Sequence, residues 1–150
     1  MSELRELYQE VILDHNKNPR NFKKLEIHSH HANGHNPLCG DKLELFIDVA
    51  DDVINDIAFV GSGCAISTSS ASLMTQFLKG KTIKETRIYF DHFHDLVTGK
   101  EIEEDQLDGL GKLAVFAGVQ EFPARVKCAS LSWHTLMNAL DDKDHIAETE

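Results

Sequence analysis

Two apolar runs separated by a pair of aspartates constrain the fold of this chain more than any other feature of its sequence. The first run alternates apolar and polar positions, which is typical of a strand with one buried face. Its inward positions are Leu43, Leu45, Ile47 and Val49, and the positions between them are Glu44, Phe46 and Asp48. Asp51 and Asp52 indicate a turn, and residues 54–60 return as a second strand. The sequence therefore predicts an antiparallel meander, with residues 27–35 as a candidate further strand.

Apolar residues at helical spacing mark the other structured segments. The predicted helices run from Ser2 to the Asn18-Pro19 stop, from Cys64 to Lys79, from Thr82 to Gly99, from Leu107 to Gly118 and from Pro123 to Leu140. Thr82 and Glu85 have the spacing of a capping box. Strands early and helices late favour an α+β fold, with helices covering one face of a small sheet. We expect one domain over residues 1–150, ending in a charged, frayed tail at about 141–150.

Charge and cysteine content limit the functions open to the chain. A net charge of −10, from 25 acidic and 15 basic residues, argues against nucleic acid or an anionic membrane as partner. No apolar run approaches the roughly 20 residues of a membrane span, and residues 2–10 are too charged for a signal peptide. An odd count of three cysteines then indicates the reducing cytoplasm, where thiols are free to bind metal or react.

Each cysteine lies in a loop or at the start of a predicted helix. Cys39 and Asp41 precede a strand, and in an extended segment residues i and i+2 point the same way. Cys64 begins one helix and Cys128 follows two basic residues near the start of another, and both settings are expected to lower a thiol pKa. Three thiols and one carboxylate make a four-coordinate set that suits zinc, although no pair has C-x-x-C spacing.

The segments around these cysteines resemble the three cysteine motifs of the SufU/IscU/NifU-N family of iron–sulfur cluster assembly proteins. They are Asn36-Pro37-Leu38-Cys39-Gly40-Asp41, Gly61-Ser62-Gly63-Cys64-Ala65-Ile66-Ser67 and Phe122-Pro123-Ala124-Arg125-Val126-Lys127-Cys128-Ala129. The likeness extends from about Leu4 to Leu140. Lys127 stands where the IscU branch has a histidine, and the chain lacks that branch's Pro-Pro-Val-Lys motif. Residues 87–106 are similar to the longer segment of SufU proteins, so the resemblance is closest to the SufU branch.

The resemblance implies a fold, a metal and a partner. The fold is a three-stranded antiparallel sheet packed against helices. The metal is a zinc ion on Cys39, Asp41, Cys64 and Cys128, and Cys39 is where the family places its sulfur-accepting thiol. The partner is a pyridoxal-phosphate cysteine desulfurase of the SufS type, with other iron–sulfur assembly proteins downstream.

Four functional hypotheses follow for these residues. The first is a zinc-dependent sulfurtransferase that accepts persulfide sulfur on Cys39. The second is a scaffold on which the same four ligands hold a labile [2Fe–2S] cluster. The third is a cysteine hydrolase with Cys64 as nucleophile and a histidine as base. The fourth is a purely structural zinc ion, whose removal would unfold the protein. A histidine-rich segment is interpreted as solvated strand or loop rather than as a metal site; it contains His28, His30, His31 and His35.

Overall fold

A computed structural model describes residues 2–141 and 147–148, with side chains described from residue 9 to residue 141. The helices are α1 (Ser2–Lys17), α2 (Ala65–Leu78), α3 (Ile83–Thr98), α4 (Glu104–Gly109) and α5 (Pro123–Leu140), with a 3₁₀ helix (Gly111–Glu121) before α5. The strands are β1 (His30–Asn36), β2 (Asp41–Ala50), β3 (Val53–Ser62) and β4 (Ala147–Glu148). None of the helices in these residues is long and apolar enough to cross a membrane.

The sheet has the strand order β3-β2-β1-β4. Strands β1, β2 and β3 form the predicted antiparallel meander, and β4 adds a short parallel pairing at the β1 edge. Asp51 and Asp52 both have positive φ, at 54° and 62°, as a two-residue hairpin turn requires. The expected tail at 141–150 lies mainly outside the described residues.

The main core lies between the sheet and the helices. Helix α5 crosses β1 and β2, and α2 packs against α5, α1 and β3. Gly34 permits the close approach of α5, because a Cβ at this position would overlap the Thr135 hydroxyl. In the same core the ring of Trp133 stacks on Phe93 with centroids 4.7 Å apart. Burial of this apolar surface is the main stabilising contribution to the fold.

The opposite face of the sheet is also partly covered, which the alternation pattern did not indicate. Phe46 was predicted to face outward with Glu44 and Asp48, but its side chain is only 5% exposed. It forms a second, smaller cluster with Leu25 and Ala58. The segment between α1 and β1 therefore folds back over this face and buries an aromatic residue there.

The helix predictions hold except between α3 and α5. The capping box of Thr82 and Glu85 is present, and α3 ends at Gly99 in the left-handed conformation. The helix predicted over 107–118 is wrong in its bounds: α4 begins at Glu104, and a 3₁₀ helix covers Gly111–Glu121. Gly111 has a φ of 55°, and this left-handed conformation interrupts the helical backbone between α4 and the 3₁₀ helix. A bond of 3.2 Å from the Glu103 backbone N–H to Gln106 Oε1 starts the helix earlier than the apolar spacing indicates.

Candidate metal centre

Three separate parts of the fold meet at one end of the sheet. Residues 37–40 join β1 to β2, and this loop carries Cys39, while Asp41 is the first residue of β2. Cys64 is the N-cap residue of α2, which follows β3 directly. Cys128 lies in the second turn of α5. The β1–β2 loop, the junction of β3 with α2 and the start of α5 thus bring residues that are distant in sequence to one place.

The structure brings three of the four predicted ligands into one group, and the fourth, Cys64, lies beside Asp41. The potential ligand atoms of Cys39, Asp41 and Cys128 all lie within 4.8 Å of one another. The Sγ atoms of Cys39 and Cys128 are 3.4 Å apart, and Cys64 Sγ lies 3.9 Å from Asp41 Oδ2. Cys64 is also near enough to Cys128 to contribute to the raised pKa of that thiol. These four side chains form the candidate metal centre.

Asp41 is the carboxylate at the middle of this arrangement. It is completely buried, and its Oδ1 accepts a hydrogen bond of 2.9 Å from the backbone N–H of Cys64. Gly63 makes room for it, because a Cβ on Gly63 would lie 2.6 Å from Asp41 Oδ1. Among residues 9–141, no lysine, arginine or histidine forms an ion pair with Asp41. A buried carboxyl group without a protein cation beside it favours a bound cation.

The three thiols differ in their exposure to solvent. Cys39 is exposed, Cys64 is half-buried and Cys128 is buried. Burial raises the pKa of the Cys128 thiol well above its usual range, and so do the bond that this thiol donates to Cys39 Sγ and the neighbouring Cys64 thiol. The expectation that basic neighbours lower this pKa was therefore wrong. Arg125 places its guanidinium over the Phe122 ring at 4.4 Å, while Cys128 points into the protein.

The donor set suits a thiophilic divalent cation. Thiolate sulfur is a preferred ligand of zinc, and a coordinating thiol is deprotonated by the metal even where burial alone opposes this. Cys39 and Cys64 provide two further sulfurs, and the Cys64 Sγ accepts from Ser67 N–H at 3.4 Å, as the cap of α2. The residues present therefore fit a metal centre with sulfur-rich coordination.

The hydrolase hypothesis finds no support in the contacts of Cys64. In the described part of the chain its thiol contacts Asp41 and the Ser67 amide rather than an imidazole. Two histidines of the histidine-rich segment, His28 and His31, also make their contacts away from the centre. His31 Nε2 pairs with Glu44 at 2.8 Å, and His28 packs edge-on against Phe46 on the sheet face opposite the helices.

Asn36 is a residue of this centre that the sequence interpretation did not single out as functional. It is completely buried, and its side-chain Nδ2 lies 3.4 Å from Asp41 Oδ2 and 3.6 Å from Cys128 Sγ. The available signal was an Asn-Pro pair shortly before a cysteine, which marks a turn with a side chain able to bond its own backbone.

The sequence comparison agrees with this geometry. The chain matches the family model for the NifU-like N terminal domain over residues 7–129. The chain belongs to this family.

Relatives in the NifU-like N-terminal domain family carry two kinds of name. The chain is 45% identical over 130 residues to the zinc-dependent sulfurtransferase SufU of Bacillus subtilis (strain 168), covering 87% of this chain and 86% of that protein. It is 39% identical over 141 residues to the iron-sulfur cluster assembly scaffold protein IscU of Streptococcus pyogenes serotype M1, covering 93% and 86%. Among solved structures, FiSufU from Fervidobacterium islandicum AW-1 is 36% identical with a TM-score of 0.82, covering 87% of this chain and 94% of that one.

These matches confirm the resemblance that the cysteine motifs indicated, and they confirm the predicted fold. The NifU-like N-terminal domain family is a family of iron–sulfur cluster assembly proteins.

Proposed function

We propose that this protein is a zinc-dependent sulfur acceptor in iron–sulfur cluster assembly. Its partner is a pyridoxal-phosphate cysteine desulfurase of the SufS type, and Cys39 takes the sulfur. The observation that carries the proposal is the difference between an exposed Cys39 thiol and its buried neighbours Asp41 and Cys128 in one cluster. Similarity to the Bacillus subtilis sulfurtransferase supports the same assignment.

Cys39, Asp41, Cys64 and Cys128 would hold the zinc ion. When bound, zinc supplies a positive charge that keeps the thiols deprotonated near neutral pH without any redox chemistry of its own. The three thiolates and the carboxylate bring four negative charges to this centre. Asp41 is the hardest donor of the set and the weakest match for a borderline-soft metal, which favours exchange of ligands at this centre.

The transfer step uses the Cys39 sulfur. Its thiolate attacks the outer sulfur of a persulfide on the desulfurase, and a new S–S bond forms on Cys39 as the S–S bond of the donor breaks. The desulfurase cysteine leaves as a thiolate, so the step needs no additional oxidant or reductant. Because the loop of residues 37–40 is exposed, it is the part of the centre that a second protein can approach directly. Other assembly proteins would then receive the sulfur.

A Cys39→Ser variant tests the acceptor. With a cysteine desulfurase and cysteine as donor, the wild type should gain one sulfur by mass spectrometry, on the peptide containing Cys39, and the variant should gain none. Cys64→Ser is the matched control, because it removes one ligand of the centre but keeps the exposed thiol. Transfer to the Cys39→Ser variant at the wild-type rate would rule out this assignment.

The second candidate function is a scaffold for a labile [2Fe–2S] cluster. It is favoured by the same sulfur-rich donor set and by the likeness to the Streptococcus pyogenes scaffold protein. Metal and sulfide analysis of protein purified without air separates the two candidates. Zinc at one ion per chain supports the sulfur acceptor, whereas iron with acid-labile sulfide supports the scaffold.

A further inference from the structure

Asn36 connects the loop that carries Cys39 to the buried part of the centre. It is the last residue of β1 and pairs in register with Asp41, the first residue of β2. Its backbone carbonyl accepts a hydrogen bond of 2.8 Å from Gly40 N–H, which closes the loop. Gly40 has a φ of +72°, the left-handed conformation that favours glycine at this point.

The side chain of Asn36 makes a second set of bonds within the loop. Its Oδ1 accepts from Leu38 N–H at 3.2 Å, an Asx-turn geometry. A backbone N–H can only donate, so the amide oxygen must face Leu38 and the amide nitrogen must face the other way. The orientation of the side-chain amide is therefore fixed by the loop itself.

The amide nitrogen then faces the two buried ligands. Asn36 Nδ2 lies 3.4 Å from Asp41 Oδ2 and 3.6 Å from Cys128 Sγ. It offers two N–H donors, one for each of these acceptors, and it adds no charge. Because Asp41 belongs to β2 and Cys128 to α5, this one side chain joins the Cys39 loop to two other elements.

We propose that Asn36 is a positioning residue that holds the Cys39 loop closed over Asp41 and Cys128, and so sets how readily the Cys39 thiol becomes available. The proposal rests on Cys39 as the sulfur acceptor. Asn36 is completely buried, so solvent does not replace its hydrogen bonds when they are removed. Loss of the side chain leaves the loop held by the β1–β2 pairing, the Gly40 bond and the contact between Cys39 and Cys128.

Two substitutions separate the contacts of Asn36. Asn36→Ser keeps a short acceptor that can bond Leu38 N–H, but a serine hydroxyl does not extend to Asp41 and Cys128. Asn36→Ala removes both sets of contacts. Asn33→Ala is the matched control, since Asn33 lies on the same strand with its side chain exposed.

The test measures the reactivity of each thiol in zinc-loaded protein. Brief treatment with iodoacetamide, digestion and mass spectrometry give separate alkylation rates for Cys39, Cys64 and Cys128. We expect the Cys39 rate to rise about tenfold in Asn36→Ala, the effect of losing hydrogen bonds of ordinary strength, and to rise less in Asn36→Ser. The rates of Cys64 and Cys128 should change much less, and Asn33→Ala should match the wild type.

A purely structural role would give a different pattern. If all three thiols accelerate equally, or if the Cys39 rate is unchanged in Asn36→Ala, the proposal is wrong. Amide hydrogen exchange gives a second readout: exchange at Leu38 should be faster in Asn36→Ala and remain close to the wild type in Asn36→Ser. Should the alanine variant fail to fold, the serine variant decides by the same thiol comparison.

These measurements need no sulfur donor, so they are independent of the proposed function. A variant with faster alkylation of Cys39, in a protein that never accepts sulfur there, would refute the acceptor assignment and leave the positioning role intact. If the wild type accepts sulfur on Cys39 but the alkylation rate of Cys39 is unchanged in the Asn36 variants, the positioning role is refuted and the acceptor assignment stands.

Discussion

The backbone N–H of Cys64 donates a hydrogen bond of 2.9 Å to Oδ1 of Asp41. This bond joins the start of α2 to the start of β2, two positions that are far apart in sequence. Asp41 therefore has two functions in the geometry: it accepts from a helix terminus through one oxygen and faces the thiol cluster through the other. Substitutions that preserve one of these contacts and remove the other can distinguish them.

Asp41→Asn keeps an oxygen acceptor for Cys64 N–H but removes the negative charge. We expect zinc affinity to fall by about tenfold or more, because an amide is a poor zinc ligand. In the presence of a chelator the variant no longer has a buried carboxyl group that needs a cation, but its amide nitrogen then faces the Asn36 Nδ2 donor. These two effects oppose each other, so its melting temperature should stay close to that of the wild type. Zinc titration and thermal melting with and without chelator measure both effects.

Asp41→Ala is the comparison variant for this prediction. It also leaves the Cys64 N–H without its partner, which costs about 1–3 kcal/mol for a buried donor. It should therefore melt below Asp41→Asn in chelator. Equal melting temperatures for the two variants would show that the bond to Cys64 contributes nothing measurable.

Gly63→Ala should weaken zinc binding without touching a ligand. The added Cβ would lie 2.6 Å from Asp41 Oδ1 and 3.2 Å from its Cβ, so the carboxylate must shift. Overpacking of this kind typically costs about 1–3 kcal/mol, or roughly tenfold or more in affinity. Gly109→Ala is the control, because nothing lies within 4 Å of its added Cβ. Zinc affinity that is the same in both variants would contradict the tight contact.

Removing the metal should leave the protein folded. The main core consists of apolar side chains that need no cation, including Phe93, Phe116 and Trp133, each at most 1% exposed. A chain of this length buries roughly two-thirds of its unfolded surface, which is enough for a stable fold. With a chelator we expect an unchanged far-UV circular dichroism spectrum and a melting temperature lower by about 5–10 °C than at zinc concentrations near 100 times Kd. Loss of cooperative melting would instead indicate a structural zinc ion.

Much of the fold follows from local sequence signals. The two-aspartate turn, the capping box at Thr82 and the proline at the start of α5 each act through nearby backbone, so the sequence alone predicts them. Phe46 was misassigned because its burial depends on Leu25, which lies in an irregular segment without periodicity. The bounds of α4 were missed because side-chain caps, rather than apolar spacing, define its start.

The candidate site shows the same division. Cys39, Asp41, Cys64 and Cys128 were identified by residue type. The structure groups the ligand atoms of Cys39, Asp41 and Cys128 and places Cys64 against Asp41. The pKa of Cys128 was not predictable from its neighbours in sequence, because its direction of shift depends on burial in the folded protein. Asn36 was missed for a similar reason: its role consists of contacts with residues 5 and 92 positions away.

His15 is a buried titratable group away from the metal centre. Its side chain is 1% exposed, and Nδ1 lies 2.7 Å from Ser72 Oγ at the contact of α1 with α2. Burial, with a smaller contribution from Arg20, lowers the pKa of His15 below its ordinary value of 6.5. His134 is shifted in the same direction, by burial and by the charge of His94.

These shifts predict that the protein loses stability as the pH falls below about 6.5. Above that value His15 is neutral in both folded and unfolded chains, so its full contribution is present. Below it the unfolded chain binds a proton that the folded protein does not, and the free energy of unfolding decreases by at most about 1.4 kcal/mol per pH unit for each group. Urea unfolding between pH 7.5 and 5.5 should show a free energy of unfolding that depends less on pH in His15→Gln than in the wild type. The pH dependence that remains in the variant should come from His134. An equal slope in the two proteins would mean that His15 takes up its proton as readily when folded as when unfolded.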